Sequence, residues 1–107
     1  MVVRATEAEI DVVRTNPADA IALFNESVIP ALHEEAGYLG CYVLLSEEGK
    51  LLVLSFWESN ESARATRLSG FYGEQVGKFS DLVVYRQTPG REAYDVVIAE
   101  TLHEVVV

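Results

Sequence analysis

The chain has 107 residues, and its 8 lysines and arginines against 17 aspartates and glutamates give a formal net charge of -9. This length predicts one domain over residues 1–107, large enough to bury a core without disulfide or metal staples. A hydrophobic content of 50% excludes a disordered chain. The negative charge excludes nucleic acid as an expected partner, because the phosphates would be repelled.

Membrane and secretion signals are missing from the sequence. No segment approaches the roughly 20 apolar residues that span a bilayer, and the first residues have no apolar run of signal-peptide length. The single cysteine, Cys41, has no partner for an internal disulfide. We therefore expect a soluble cytoplasmic protein that does not use a membrane as a partner.

The opening residues, 2–13, predict a strand. Thr6, Ala8, Ile10 and Val12 alternate with acidic residues, as in a strand with one buried face. Alanine and glutamate would equally suit a helix, so this segment is the most ambiguous in the chain.

A helix is predicted over residues 17–36. Asn16 is a good N-cap, and Pro17 fits the first helical position, where its missing N–H costs nothing. An apolar stripe follows at spacings of three and four residues: Ile21, Phe24, Val28 and Leu32. Gly37 supplies a left-handed stop, and Pro30 should kink the helix about one turn before itself.

Two strands, residues 38–46 and 50–58, flank a turn at 47–49 and predict a hairpin. The second strand is apolar on both faces, with Leu51, Val53 and Trp57 on one and Leu52, Leu54 and Phe56 on the other. Helices from a chain this short can cover only one face of the sheet. We therefore expect a homodimer that forms through the open sheet face.

The second half predicts two helices and a last strand. Ser59 or Asn60 caps a helix that runs to Leu68, and a further helix is expected over 71–80. The apolar residues in and just after this segment recur at helical spacing: Tyr72, Val76, Phe79 and Val83. After a turn at Thr88-Pro89-Gly90, residues 94–102 are β-rich and predict a strand. The order β-α-β-β-α-β indicates an α+β, ferredoxin-like protomer with a four-stranded antiparallel sheet.

Three short runs carry a resemblance to a known family. They are Val-Ile-Pro-Ala-Leu at 28–32, Ala-Gly-Tyr-Leu-Gly at 36–40 and Leu-Ser-Phe-Trp-Glu-Ser at 54–59. Together they resemble the antibiotic-biosynthesis-monooxygenase-like (ABM) domain of the dimeric α+β barrel superfamily. The resemblance implies a second copy that closes a barrel and a pocket between sheet and helices in each subunit. Some relatives are cofactor-free oxygenases of aromatic polyketides, whereas others degrade haem, isomerise small molecules or have no known activity.

Only two residues of this chain match positions that border the pocket or lie near it in the family. Trp57 matches a tryptophan that borders the pocket, and Tyr72 lies near the position where oxygenase relatives can place a tyrosine. The haem-degrading branch has an asparagine on the first strand and a histidine in the helix after the tryptophan. Residues 2–13 contain no asparagine and residues 58–80 no histidine, so we expect no haem. We expect neither a cofactor nor a metal.

The remaining polar candidates have ordinary structural explanations. His33 is expected in solvent at a helix C-terminus, and Cys41 as a small buried side chain within a strand. His103 lies beside Glu104 near the C-terminus, and His33 has no second histidine four residues on, so the zinc-protease pattern fails. The spacing of Gly70, Gly73 and Gly77 does not match a phosphate-binding loop, so we expect these glycines to let two helical segments pack closely.

Aromatic side chains are the best candidates for a ligand site: Phe24, Trp57, Phe71, Tyr72 and Phe79. Core packing is the alternative for each, and it is favoured for Phe24 and Phe79. Trp57 and Tyr72 combine a flat apolar body with a polar group, which suits a pocket for an aromatic ligand. Arg67 could neutralise a phenolate or carboxylate on that ligand.

The residues and the family resemblance give two candidate functions. The first is a cofactor-independent monooxygenase acting on a small polyketide- or quinol-like aromatic, with Trp57 and Tyr72 as the catalytic candidates. The alternative is a non-catalytic dimeric module that binds a small hydrophobic molecule or has a stress-related role. The C-terminal residues 104–107 either extend the last strand or cross to a partner as an added strand.

Overall fold

The computed structural model describes residues 1–68, 70–78, 83–85, 93–100 and 102, and only the backbone of 67, 68, 71–73, 76 and 83–85. In chain order the elements are β1 (Val2–Ile10), α1 (Pro17–Leu23), a π-helical turn (Phe24–Val28), α2 (Ile29–His33), β2 (Tyr38–Leu45), β3 (Lys50–Trp57), α3 (Asn60–Leu68), α4 (Phe71–Lys78), β4 (Val83–Tyr85) and β5 (Ala93–Asp95). This is the α+β, ferredoxin-like fold that the sequence predicts.

All strand pairs in the sheet are antiparallel, and the order is β2-β3-β1-β4. Because β3 occupies one edge of β1, the two short strands β4 and β5 share the other edge. There β4 pairs with residues 8–10 and β5 with residues 2–4. The fourth strand of the predicted fold is therefore divided into two segments.

The predicted strand at 94–102 is wrong over most of its length. Only Tyr94 and Asp95 lie in β5, while residues 96–100 and 102 belong to no strand. Strand β4 was missed, because Val83 continues the helical spacing of the residues before it. The predicted strand at 2–13 is confirmed up to Ile10, after which Asp11 begins a turn. Phe79 and the predicted turn at 88–90 lie outside the described residues.

The strand register defines two faces of the sheet. On the covered face, which packs against the helices, the side chains are Val2, Arg4, Thr6, Ala8 and Ile10 of β1, Leu51, Val53, Ser55 and Trp57 of β3, and Tyr38, Cys41 and Val43 of β2. On the open face lie Val3, Ala5, Tyr42, Leu44, Leu52, Leu54 and Phe56. The predicted separation of the β3 side chains into two apolar faces is confirmed.

The first helix begins as predicted and bends in an unexpected way. The side chain of Asn16 accepts a hydrogen bond from the N–H of Ala18 at 3.1 Å, which caps α1. The predicted kink takes the form of the π-helical turn, in which the N–H of Ile29 reaches back to the carbonyl of Phe24. This wider turn lies just before Pro30, which has no N–H to donate, and lets the helix continue into α2. The helix ends at His33, three residues earlier than predicted.

Glycines at two turns have left-handed backbone that other residues rarely adopt. Gly37 has φ +80°, and a Cβ added there would lie 2.5 Å from Cβ of Ser62, so this turn packs tightly against the start of α3. Gly70 has φ +84° at the break between α3 and α4. The described residues give no support at Gly70 and Gly77 for the prediction that the later glycines permit close helix packing, because an added Cβ would meet no described atom within 4 Å at either position.

The core lies between the covered face and the helices. Its buried apolar side chains are Val2, Ala8, Ile10, Ala20, Val28, Leu32, Leu51, Trp57 and Ala63. Strands β1 and β3 thus contribute five of these nine residues, and the helices contribute the rest. No helix among the described residues is long and apolar enough to cross a membrane.

Candidate functional site

Trp57 lies at the end of β3, and its side chain is completely buried. It stands between Val2 of β1 and Tyr38 of β2 in the register of the sheet. The indole Nε1–H donates a hydrogen bond to Oγ of Ser55 at 3.0 Å. The ring of Tyr38 packs edge-on against the indole, with centroids 5.5 Å apart. The tryptophan is therefore held rigidly, and its only polar group has a partner within the chain.

A row of three polar side chains crosses the covered face next to Trp57. Cys41 pairs with Ser55, and Ser55 pairs with Arg4, so the row spans about 10 Å across β2, β3 and β1. Ser55 and Arg4 are buried, whereas Cys41 is half-buried. The Nε and Nη1 atoms of Arg4 have no hydrogen-bond partner among the described residues, although the residue makes another interaction. The buried part of this face thus contains one charged side chain, Arg4, and one hydroxyl side chain, Ser55.

The helices that follow β3 add two more buried polar side chains. Thr66 of α3 donates a hydrogen bond from Oγ1 to the carbonyl of Ser62 at 3.1 Å. Gln75 of α4 accepts one from Nζ of Lys78 at 3.1 Å. The same ammonium group donates to Oγ of Ser27 at 2.9 Å and so joins α4 to the π-helical turn.

A groove with a volume of about 520 Å³ runs between the first helix and β2. Its walls are mainly apolar and consist of Ala18, Ile21, Ala22, Phe24, Asn25, Ile29, Cys41 and Val43. The π-helical turn places Phe24 and Asn25 on one wall, while β2 supplies Cys41 and Val43 on the other. Cys41, the first residue of the polar row, thus lines the groove, which is large enough for a small aromatic ligand.

The structure brings two of the predicted site residues to neighbouring positions. Phe24 lines the groove, and Trp57 lies two residue pairs along the sheet from the Cys41–Ser55 pair, of which Cys41 lines the groove. For Arg67, Phe71 and Tyr72 the helical backbone is described but the side chains are not, and Phe79 lies outside the described residues. Their assignment to the site remains a prediction.

The other reactive side chains occupy positions close to those expected. His33 is exposed at the end of α2, and its ring meets that of Tyr38 edge-on at 5.6 Å. Cys41 is more accessible than predicted, because it lies on the wall of the groove. His103 lies outside the described residues. Within the described part of the chain, no group of three histidine, cysteine or acidic side chains could hold a metal ion.

Arg4 and Ser55 were not predicted from the sequence as site residues. Arg4 is an even number of residues away from Ala8 and Ile10 in the same strand, and side chains in a strand alternate between its two faces. The side chain of Arg4 is therefore expected on the same, buried face. Ser55 is two residues before Trp57 in β3, so its side chain lies on the same face of the sheet. The available signal was a polar residue at an inward position of a strand, which often marks a functional site.

The whole structure is similar to a crystal structure from Deinococcus radiodurans described as a "putative antibiotic biosynthesis monooxygenase". The TM-score is 0.66 at 15% sequence identity, and the match covers 97% of this chain and 100% of the other. Neither a protein-family model nor a curated protein sequence matches the chain. The expected ABM-like fold is confirmed, and at this identity the likeness concerns the fold alone.

Proposed function

We propose that the protein is a monooxygenase that needs no bound cofactor and oxidises a small aromatic substrate of polyketide or quinol type. The observation that carries this proposal is the apolar groove of about 520 Å³ beside Phe24 and Cys41. It lies between helix and sheet in a fold shared with the protein described as a "putative antibiotic biosynthesis monooxygenase".

In the proposed reaction the substrate itself supplies the electrons. A hydroquinone reacts with one O₂ to give a hydroxyquinone and one water, so one oxygen atom enters the ring and the other leaves as water. The phenolate form reacts most readily, because it transfers an electron to O₂ more easily than the neutral phenol does. The protein must bind the ring flat, favour the anion and exclude bulk water.

Particular residues suit these tasks. Phe24 and Ile29 form an apolar wall for an aromatic ring, and the rigid Trp57 supports the adjoining part of the sheet. Tyr72 and Arg67 remain the predicted groups that stabilise the anion.

The test measures oxygen uptake with 1,4-dihydroxynaphthalene in the presence of catalase. With ¹⁸O₂, catalysis should insert one labelled atom into the hydroxynaphthoquinone product. Phe24→Ala should lower kcat/KM by about 10-fold or more through lost ring contact. Tyr72→Phe should lower kcat, whereas Val13→Ala, at an exposed turn position, is the control. Uptake no faster than uncatalysed oxidation, or equal rates in all three variants, would contradict the proposal.

The second candidate is a binding module without catalysis. The complete burial of Trp57 and the internal partner of its Nε1–H favour it, since no polar group of this residue faces the groove. Saturable quenching of the single tryptophan by the same naphthalene compound, without oxygen uptake, would support binding alone.

We propose that two copies associate through the open face. Tyr42 and Leu44 are each about half exposed, at 48% and 47%, and Leu52, Leu54 and Phe56 are only partly buried. A contiguous apolar patch of this kind is typical of a protein–protein contact surface. A second copy offers the same patch, so a two-fold axis through the face would bury both.

A further inference from the structure

We propose that Asn25 selects the substrate at the groove by hydrogen-bonding an uncharged hydroxyl group on its aromatic ring. The end of the substrate that enters the groove is then a neutral phenol and carries no carboxylate or other anion. The inference rests on the proposed function, because it concerns the same groove. It adds the chemical group that the groove recognises and the residue that recognises it.

The walls of the groove offer few polar groups. Six of its eight lining residues have apolar side chains, and the other two are Asn25 and Cys41. None of these eight described residues is charged. A carboxylate that left water for these walls would lose its hydration without gaining an opposite charge, whereas a neutral hydroxyl needs only a hydrogen bond. Of the two polar groups, the carboxamide is the stronger partner, because a thiol is a weak donor and a weak acceptor.

The carboxamide of Asn25 is available for a ligand. The residue is exposed in the π-helical turn, and its side chain has no hydrogen-bond partner among the described residues. Nearby polar side chains are already engaged, since Asn16 caps α1 and Ser27 accepts a hydrogen bond from Lys78. Asparagine is also a poor helix former, so the stability of the helix gives no reason for its presence.

The position of Asn25 suits the recognition of a ring substituent. It directly follows Phe24, and adjacent Cα atoms are about 3.8 Å apart. An oxygen at the edge of a ring that packs on Phe24 can therefore reach the carboxamide. The π-helical turn places both side chains on the same wall of the groove, and turns of this kind are frequent at functional sites.

A carboxamide can bind both the substrate and the product of the proposed reaction. Its oxygen can accept a hydrogen bond from the hydroxyl of a hydroquinone, and its NH₂ group can donate one to the carbonyl of a quinone. The second hydroxyl of the hydroquinone lies at the opposite edge of the ring and can ionise while the first stays neutral at Asn25. Helix α3, which carries the predicted anion partner Arg67, packs mainly against β1 and β3 of the sheet, whereas the groove lies on β2. Separate elements can thus hold the neutral and the ionised ends.

The test compares three naphthalene ligands at neutral pH: 1-naphthol has a neutral hydroxyl, naphthalene has no substituent, and 1-naphthoate has a carboxylate. Isothermal titration calorimetry measures each Kd. Asn25→Leu keeps the side-chain volume and removes the hydrogen-bonding groups. It should weaken the binding of 1-naphthol about three- to tenfold, as expected for one hydrogen bond, and that of naphthalene by less than about twofold. The wild-type protein should bind 1-naphthoate at least about tenfold more weakly than 1-naphthol.

Two control variants separate recognition of the hydroxyl from general effects on the groove. Glu26→Leu introduces the same side chain at an exposed position of the same turn that does not line the groove, and should leave each Kd unchanged. Phe24→Ala should weaken 1-naphthol and naphthalene equally, because it removes contact with the ring. In the wild-type protein, the ring protons beside the hydroxyl of 1-naphthol should show nuclear Overhauser effects to the Nδ2 protons of Asn25. This measurement requires no variant to fold.

Several outcomes would overturn the inference. These are equal losses for 1-naphthol and naphthalene in Asn25→Leu, no loss for either, Overhauser effects only from the ring without the hydroxyl, and 1-naphthoate binding as tight as that of 1-naphthol. Absence of binding by all three ligands would exclude the groove as the site. Oxygen uptake is measured separately, so selective loss of 1-naphthol binding in a protein without uptake contradicts the monooxygenase alone. Uptake of oxygen with 1,4-dihydroxynaphthalene at the same kcat/KM in Asn25→Leu contradicts the role of Asn25 alone.

Discussion

The two faces of the sheet receive similar apolar side chains from β3 and differ in what covers them. Leu51 and Trp57 point toward the helices and are buried, whereas Leu54 and Phe56 point away and are only partly buried. The covered face holds the chain together, and we propose that the open face holds two chains together. A strand that is apolar on both sides can thus serve folding and association at once.

The faces also differ in their polar residues. Arg4 and Ser55 lie buried within the covered face, whereas Glu7 and Glu9 lie at one end of the open face. Buried polar groups are costly unless they are hydrogen-bonded, and so they are uncommon in a layer that only packs. On this difference we base the proposal that the covered face carries the ligand site and the open face receives a partner.

The largest expected effect on stability is at Trp57. Changing Trp57 to alanine should lower the free energy of unfolding by about 3–5 kcal/mol, because it leaves a large cavity in the covered face. Tyr42→Ala on the open face is the matched aromatic control and should cost clearly less, since Tyr42 is half exposed. Urea unfolding followed by far-ultraviolet circular dichroism measures both. Equal losses would contradict the difference between the faces.

A smaller effect is expected at Ser55. Ser55→Ala removes the acceptor of the Trp57 indole N–H and should cost about 1–3 kcal/mol, because a buried donor is left without a partner. Ser46→Ala is the matched control, since its Oγ accepts the N–H of Lys50 at 3.0 Å in an exposed turn where water can replace it. A loss at Ser55 no larger than that at Ser46 would show that burial does not strengthen this bond.

Leu54 is expected to affect the stability of the single chain least and the stability of the dimer most. Leu54→Lys should change the free energy of unfolding of the single chain by less than about 1 kcal/mol. It should weaken the dimer at least about tenfold, because two lysines would be placed inside an apolar contact. Sedimentation equilibrium measures this, with Val13→Lys as a control at a position far more exposed. An unchanged dimer would place the interface elsewhere.

Local signals were sufficient for much of the fold. The cap at Asn16, the hairpin turn before Lys50 and the faces of β3 were all predicted and confirmed. Each depends on residues within a few positions of one another. The last part of the chain was predicted poorly, because the apolar spacing around Val83 fits a helix and the β-rich residues 96–100 pair with no strand among the described residues.

The candidate site was predicted less completely than the fold. Phe24 and Trp57 were chosen for their aromatic rings; Phe24 lines the groove, whereas Trp57 is fully buried and does not line it. The row from Cys41 to Arg4 could not be assembled from the sequence, since it joins three strands whose pairing is known only once the sheet forms.

By itself the sequence determined which side chains of each strand share a face and where the first helix begins. Those properties follow from the period of two in a strand and from hydrogen bonds between near neighbours. Only the tertiary structure decided which face the helices cover, how β4 and β5 divide one edge, and that Ser55 lies between Arg4 and Cys41. These features depend on contacts between segments far apart in the chain, which no local pattern of residues encodes.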